Sequence, residues 1–251
     1  MVQALNLMHS QKVKQMLLII AAVPLETKLL RCRLQSPQTV PVGPRQAFSG
    51  KINNQPLLIA HSGVGQAAMA LQLTRLAENH PLRSVLLCGC GGCYPGSGLK
   101  IGDLALADEE IYGDLGVATA DRFIPLDQLD IPQDPSLMPP LQQRYPLQSQ
   151  LGDWARSILP EAVCGPFVTV NCGSGRQLLS EELEQRTGGI CENMEGAAAA
   201  QVCAEYQLPL LELRGISNPT GTHDPQQWDI AKGAETAQLA VLELLTHWPE
   251  Q

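Results

Sequence analysis

The sequence predicts an α/β fold: a three-layer αβα sandwich with a central mixed, mostly parallel sheet. Three observations predict it. Short continuous apolar runs, such as LLIIAAV over 17–23, have the pattern of strands buried on both faces. These runs alternate with stretches of helical periodicity, the signature of a sheet covered by helices. Gly-rich joints connect them, including SGVG at 62–65, GCGG at 89–92 and CGSG at 172–175.

The elements follow in order. Residues 1–15 are polar and mixed and read as a flexible extension, leaving 16–251 as a single domain. The 17–23 run is the first strand; Pro24 ends it and a helix begins over 26–32. Residues 57–61 form a second strand. The SGVG turn then opens a helix over 65–79, with Ala67, Ala68, Leu71 and Leu76 on its apolar side. A third strand, 84–88, runs into the 89–92 turn, and Gly102-Asp103 opens a strand over 104–107. Residues 113–147 are rich in Pro and Asp and read as a long loop, with a helix starting after Pro140. A strand at 167–171, an Ala-rich helix at 195–206, a buried strand at 210–216 and a closing helix at 230–247 complete the chain.

Composition bounds the function. Of the 251 residues 44% are hydrophobic and 17% charged, a globular balance that excludes disorder as the main state. The net charge of -8, with no long basic run, argues against a nucleic-acid partner. The apolar run at 16–23 is far too short for a membrane span, and no hydrophobic export signal is seen. The eight cysteines therefore read as reduced thiols of a cytoplasmic protein. Cys88, Cys90 and Cys93 are closely spaced but offer at most three ligands, and no second Cys/His cluster has zinc spacing, so no metal site is expected.

In open α/β sheets, ligands sit beyond the carboxyl ends of the strands. Five groups fall there: Glu26, Ser62-Gly63, the 89–92 turn, the 173–175 turn and Asn218. None of the Gly turns matches the dinucleotide fingerprint or the P-loop. Glu195 opens the Ala-rich helix and Asn218 ends a buried strand. A carboxylate accepts hydrogen bonds from sugar hydroxyls, and an amide offers a donor and an acceptor to the edge of a base. Together they point to a nucleoside site that reads a purine with oxygen at C6.

Five segments carry a family resemblance: AVPLE (22–26), HSGVGQAAMA (61–70), GCGGCYPGSGLKIGDL (89–104), ENMEGAAAAQVC (192–203) and LRGISN (213–218). They resemble the nucleoside phosphorylase/nucleosidase superfamily over most of 16–247. The turn CYPGSGLKIGD followed by IYGDLG (111–116) resembles its futalosine hydrolase branch. The resemblance implies hydrolysis of an N-glycosidic bond with release of hypoxanthine, a homodimer or higher homo-oligomer, and neither metal nor organic cofactor.

The resemblance also assigns residues. Glu26 matches the acid that positions and deprotonates the attacking water; on the residues alone the favoured reading is a helix N-terminal Glu stabilised by the dipole. Glu195 matches the acid that holds the ribose hydroxyls, with Met194 on the sugar face; the alternative is another dipole-favoured Glu beside a core Met. Aminopurine nucleosidases place Asp at position 218, whereas Asn218 suits a 6-oxopurine. Asn193 stands where methylthioadenosine-cleaving relatives carry an acid, and is not expected to bind ribose. Gly91 and Gly92 are expected to line the sugar pocket with N–H groups, and Gly173 and Ser174 to meet base or ribose. Ser217 either touches the base or ends its strand. Arg214, inside a strand, is expected in a structural ion pair, and His61 as a satisfied core histidine. The resemblance also implies a substrate whose side chain carries an aromatic carboxylate; Arg122 and Arg176 are candidates to hold it, with 113–132 as a lid. Three rivals stand beside it: a 6-oxopurine phosphorylase, a non-catalytic purine-binding protein on the same scaffold, and a methylthioadenosine hydrolase, which conflicts with Asn218 and Asn193.

Overall fold

The computed structural model describes residues 15–133, 140–147 and 149–248, so the extension expected over 1–15 lies outside the described residues except for Gln15. In chain order the elements are β1 (Met16–Ala21), α1 (Lys28–Arg33), β2 (Gln35–Val42), β3 (Arg45–Ile52), β4 (Gln55–His61), α2 (Gln66–Asn79), β5 (Leu82–Cys93), β6 (Leu104–Tyr112), β7 (Gly116–Ala118), β8 (Phe123–Pro125), β9 (Arg144–Pro146), α3 (Ser149–Ile158), β10 (Val163–Thr169), α4 (Gln177–Thr187), β11 (Cys191–Asn193), α5 (Gly196–Glu205), β12 (Leu210–Pro219) and α6 (Ile230–Thr246).

β1 forms where its apolar run predicts, parallel to β4 on one side and β5 on the other. Successive side chains alternate between sheet faces. Leu18 and Leu58 pack with Met69 and Leu73 of α2 and Ala197–Ala200 of α5. Leu17, Ile19 and Leu57 pack with Val241 and Leu244 of α6 on the other face. Helices therefore cover both faces of this part of the sheet, as expected.

The sheet differs from the expectation in two ways. It is mixed but not mostly parallel: among the described residues, parallel and antiparallel pairings in the ten-stranded sheet are equal in number. Nor is it a plain sandwich layer. β11 pairs with β10 and also, antiparallel, with β5, so β5, β12, β6, β10 and β11 close into a barrel-like ring. The cause is local. Residues 89–92, expected as a turn, are the second half of the long β5. A Cβ on Gly91 would overlap Cys191 Sγ, so the approach of β11 requires glycine there.

The 113–147 region is also more regular than its composition implies. β7 and β8 form a hairpin, β9 adds to β6, and the helix expected after Pro140 starts at Ser149. No helix among the described residues is long and apolar enough to cross a membrane. α6 fixes the segment that carries Glu26: buried Gln238 accepts from Leu29 N–H at 2.7 Å and donates to Ala234 O at 2.8 Å.

Candidate active site

The 3-10 turn Pro24–Thr27 follows β1 at its carboxyl end. There Glu26 is only 5% exposed. It does not point outward as a dipole-favoured helix residue would. Its Oε1 accepts from Cys90 N–H at 2.8 Å and its Oε2 from Val23 N–H at 3.0 Å. Gly89 leaves the room, since a Cβ there would lie 2.6 Å from Glu26 Oε1. Burial raises the Glu26 pKa; Arg214 and the two N–H donors pull it back, and Glu195 adds to the rise. A carboxylate with a raised pKa is the stronger base.

Glu195 stands one residue before α5, and Asn193 sets its position. Asn193 Oδ1 accepts from the N–H groups of Glu195 (2.9 Å) and Gly196 (2.7 Å), while its Nδ2 donates to Glu110 Oε1 at 2.7 Å. Asn193 is thus a buried cap for the helix, and its polar atoms are engaged within the protein. Glu195 Oε1 accepts from Gly65 N–H at 2.9 Å. Gly65 has φ 98°, a backbone region open to glycine, which lets the SGVG turn meet the helix entry.

Arg214 joins the two acids. It is buried, with Nε and Nη2 both donating to Glu212 Oε1 (2.9 and 2.8 Å). Its Nη1 reaches Cys90 O at 3.2 Å and Glu195 Oε2 at 3.4 Å. Burial would lower its pKa, but the charges of Glu212 first, then Glu195 and Glu26, reverse that and hold the guanidinium charged. The expected ion pair is present. The sequence reading missed that it also bridges Glu195 and the strand that receives Glu26. The available signal was Glu212-x-Arg214, a spacing that puts both side chains on one face of a strand.

Asn218 lies opposite Gly92 in the β12–β5 ladder and is half-buried. Ser217 Oγ donates to Asn218 Oδ1 at 2.8 Å, and Asn218 Nδ2 donates to Pro219 O at 3.0 Å. One amide hydrogen and one lone pair remain for a ligand. A Cβ on Gly92 would stand 3.1 Å from Nδ2, so glycine keeps that approach open. Ser217 itself is buried, within 3.2 Å of Gly91 O, and orients the amide.

The remaining sites divide. Met194 is half-exposed between buried Asn193 and Glu195. Gly91 and Gly92 belong to the β5 ladder rather than to a turn. Gly173 is exposed after β10. Ser174 is buried and committed: its N–H bonds Glu192 Oε1 at 2.8 Å and its hydroxyl bonds Glu192 Oε2, which Tyr94 OH also reaches at 2.9 Å. Its loop is tied to the segment after Asn218 through Gly221 N–H to Ser174 O at 2.6 Å. Arg122 and Arg176 are both exposed. Arg122 lines a cavity of about 450 Å³ between the β7–β8 hairpin and α4. His61 is satisfied by Thr27 Oγ1 at 2.6 Å from Nε2; burial, then Arg31, lowers its pKa to about 4, leaving a neutral ring. Burial and Glu26 push the Cys90 thiol up to about 12.

Two acids, one guanidinium and one amide thus gather along the second half of β5. The chain matches the phosphorylase superfamily over residues 17–246 and belongs to it. Within that superfamily it groups with nucleosidases. A 5'-methylthioadenosine/S-adenosylhomocysteine nucleosidase of Mycobacterium bovis is 28% identical over 255 residues, covering 91% of this chain and 97% of that protein. A futalosine hydrolase of Thermus thermophilus is 33% identical over 191 residues, covering 73% of this chain and 79% of that one. The fold is that of a futalosine hydrolase mutant of Helicobacter pylori, with a TM-score of 0.81 at 22% identity over 93% of this chain and 100% of that structure.

Proposed function

We propose that this nucleosidase hydrolyses the N-glycosidic bond of futalosine, releasing hypoxanthine and dehypoxanthine futalosine, in the futalosine route of menaquinone biosynthesis. The observation that carries the reading is Asn218, a neutral amide on β12, the strand that also carries Arg214 of the Glu26–Arg214–Glu195 cluster. Glu26 takes a proton from water, whose oxygen bonds to C1′ of the ribose. The C1′–N9 bond breaks, its electron pair leaves with the purine, and the purine gains a proton, so the sum consumes one water. Glu195 accepts from the 2′- and 3′-hydroxyls and offsets the positive charge growing on the sugar. Met194 covers the sugar face. Asn218 donates its free N–H to N7 or O6 of the departing base. Gly91 and Gly92 give the sugar and base close access to the strand, and Gly173 borders the base. Ser217 orients the amide and Ser174 shapes its loop.

The scheme uses no metal and no organic cofactor. It includes a cytosolic homo-oligomer, a reading supported by eight unpaired thiols and by exposed Val64 and Leu71 around the start of α2. Phosphorolysis is disfavoured because Arg214 is already matched by Glu212 and Glu195, and an incoming phosphate would meet the Glu26 carboxylate. The methylthioadenosine reading has the Mycobacterium relative in its favour. Against it, an amide at 218 supplies no proton to N7 of adenine at neutral pH.

The test is parallel incubation with futalosine, inosine and methylthioadenosine, with and without phosphate, followed by chromatography of the released base. Hypoxanthine from futalosine without phosphate is the expected result. Strict phosphate dependence rejects hydrolysis, and adenine release without hypoxanthine rejects the substrate. Asn218→Asp is expected to lower kcat/KM for futalosine about tenfold or more, by turning a donor into a carboxylate against O6. It is also expected to gain activity on methylthioadenosine; an unimpaired variant with no such gain removes the selector role from Asn218.

A further inference from the structure

Two buried acids take no part in the reaction above. Glu110 on β6 and Glu212 on β12 are both fully buried. Their carboxyl groups converge beneath the first residue of α5: a Cβ on Gly196 would overlap Glu110 Oε1 and lie 2.7 Å from Glu212 Oε2. Glu212 Oε1 receives two donors from Arg214, whereas its Oε2 has no donor from any neighbouring residue among those described. Glu110 accepts from Thr169 Oγ1 and from Asn193 Nδ2, each at 2.7 Å.

Two ionised carboxylates do not stand side by side away from water without large cost. One proton between them resolves both features. It gives Glu212 Oε2 its missing donor and leaves the pair with a single negative charge. Glu110 is the member that holds the proton, because the two donors of Arg214 favour the ionised form of Glu212; burial and then the charge of Glu212 raise the Glu110 pKa in the same sense. The pair's one charge then cancels that of Arg214.

We propose that Glu110 and Glu212 share one proton and, as a singly charged pair, orient and neutralise Arg214, so that Glu195 keeps its negative charge for the sugar hydroxyls and Glu26 stays basic. The inference rests on the nucleosidase reading and deepens it. Both residues are positioning residues, since neither is exposed to a substrate. The groups that face the pair and its guanidinium are Thr169 from β10, Asn193 and Cys191 from β11, Tyr112 from β6, Cys203 from α5, Glu195 before α5 and Glu26 from the 24–27 turn; burial raises the Cys191, Cys203 and Tyr112 pKa values, so these three stay neutral. Without the pair's charge, Arg214 turns its full charge on Glu26 and Glu195. That weakens the base and makes the guanidinium compete with the sugar.

The charge has two possible seats, and this sets the test. In Glu212→Gln, the new amide N–H faces Glu110, which ionises in its place. In Glu110→Gln, Glu212 stays ionised. Each single variant keeps one negative charge, and only the double variant loses it. Difference infrared spectra at neutral pH, unsubstituted protein minus variant, are expected to show the carbonyl stretch of one protonated carboxyl lost in both single variants. Each single variant is expected to lower kcat less than tenfold. The double variant is expected to move the acid limb of the kcat–pH profile down by about one unit or more. It is also expected to raise KM about tenfold.

A purely structural role would lower the melting temperature in all three variants and move neither limb nor KM. The inference is overturned if the band persists in Glu110→Gln, or if a folded double variant keeps the parent limb and KM. Should circular dichroism show the double variant unfolded, the band in the single variants decides. If the unsubstituted protein cleaves no purine nucleoside, the functional reading fails, while the band still reports whether the proton is shared.

Discussion

Glu26→Gln is expected to lower kcat for futalosine by about 10²–10⁴-fold, the usual contribution of a positioned general base. The side chain keeps its length, so the loss isolates the basic oxygen. The pH dependence makes the claim sharper. Burial raises the Glu26 pKa above its ordinary value, so in the unsubstituted protein kcat falls as pH drops through that raised pKa. The amide that replaces the carboxyl does not titrate, and the acid limb assigned to this residue disappears from the variant. Stability moves with the same proton. A carboxyl whose folded pKa lies above its unfolded value stabilises the fold below the unfolded pKa, and that stability is lost as pH rises through the folded one. The melting temperature of Glu26→Gln relative to the parent is therefore expected to improve from acid toward neutral pH. Saturating-substrate rates and melting curves over one pH series measure both effects. A variant with parent-like kcat and an intact acid limb shows that water is activated elsewhere.

Much of this was legible in the sequence, for physical reasons. The 17–23 run had to be a doubly buried strand, and it became β1 with helices over both faces. Glu26, Glu195 and Asn218 were each marked by an element end, where polar groups meet ligands. Three things were hidden. β2 is almost wholly exposed and contains Pro37 and Pro41, so the β2–β3 edge carries no apolar alternation to read. Gly89, Gly91 and Gly92 read as a turn because glycine favours turns. Here they remove side chains so that Glu26, Cys191 and Asn218 can each press against one strand. Closure of the ring depends on β11, three residues long, which is below the length at which periodicity says anything. Ser174 shows the converse limit: its type was right for a ligand contact, but whether its hydroxyl was free depended on Glu192, eighteen positions away.

Those same pairings decide what happens when the central cation is removed. Arg214→Met is expected to destabilise the fold by about 3–5 kcal/mol, the cost of stripping one partner from a buried ion pair. The size follows from what is left behind: Glu212 without its two donors and Glu195 without its nearest cation, both buried. A hydrophobic side chain of similar reach fills the space but answers neither charge. The orphaned carboxyls respond by holding protons, so their folded pKa values rise above the unfolded ones. By linkage the variant's stability is highest in acid and falls as pH rises. Its deficit against the parent is accordingly expected to be smaller at about pH 5 than at about pH 8, where the unfolded carboxyls are all ionised. Urea unfolding at the two pH values measures this. Arg214→Lys restores the charge without the planar fork. It is expected to recover part of the stability and little of kcat, because a single ammonium does not hold Glu212, Cys90 and Glu195 in one plane. A deficit below about 1 kcal/mol that stays flat with pH would place Arg214 outside the charge balance of the site, and the arrangement of acids around it would need another counter-ion.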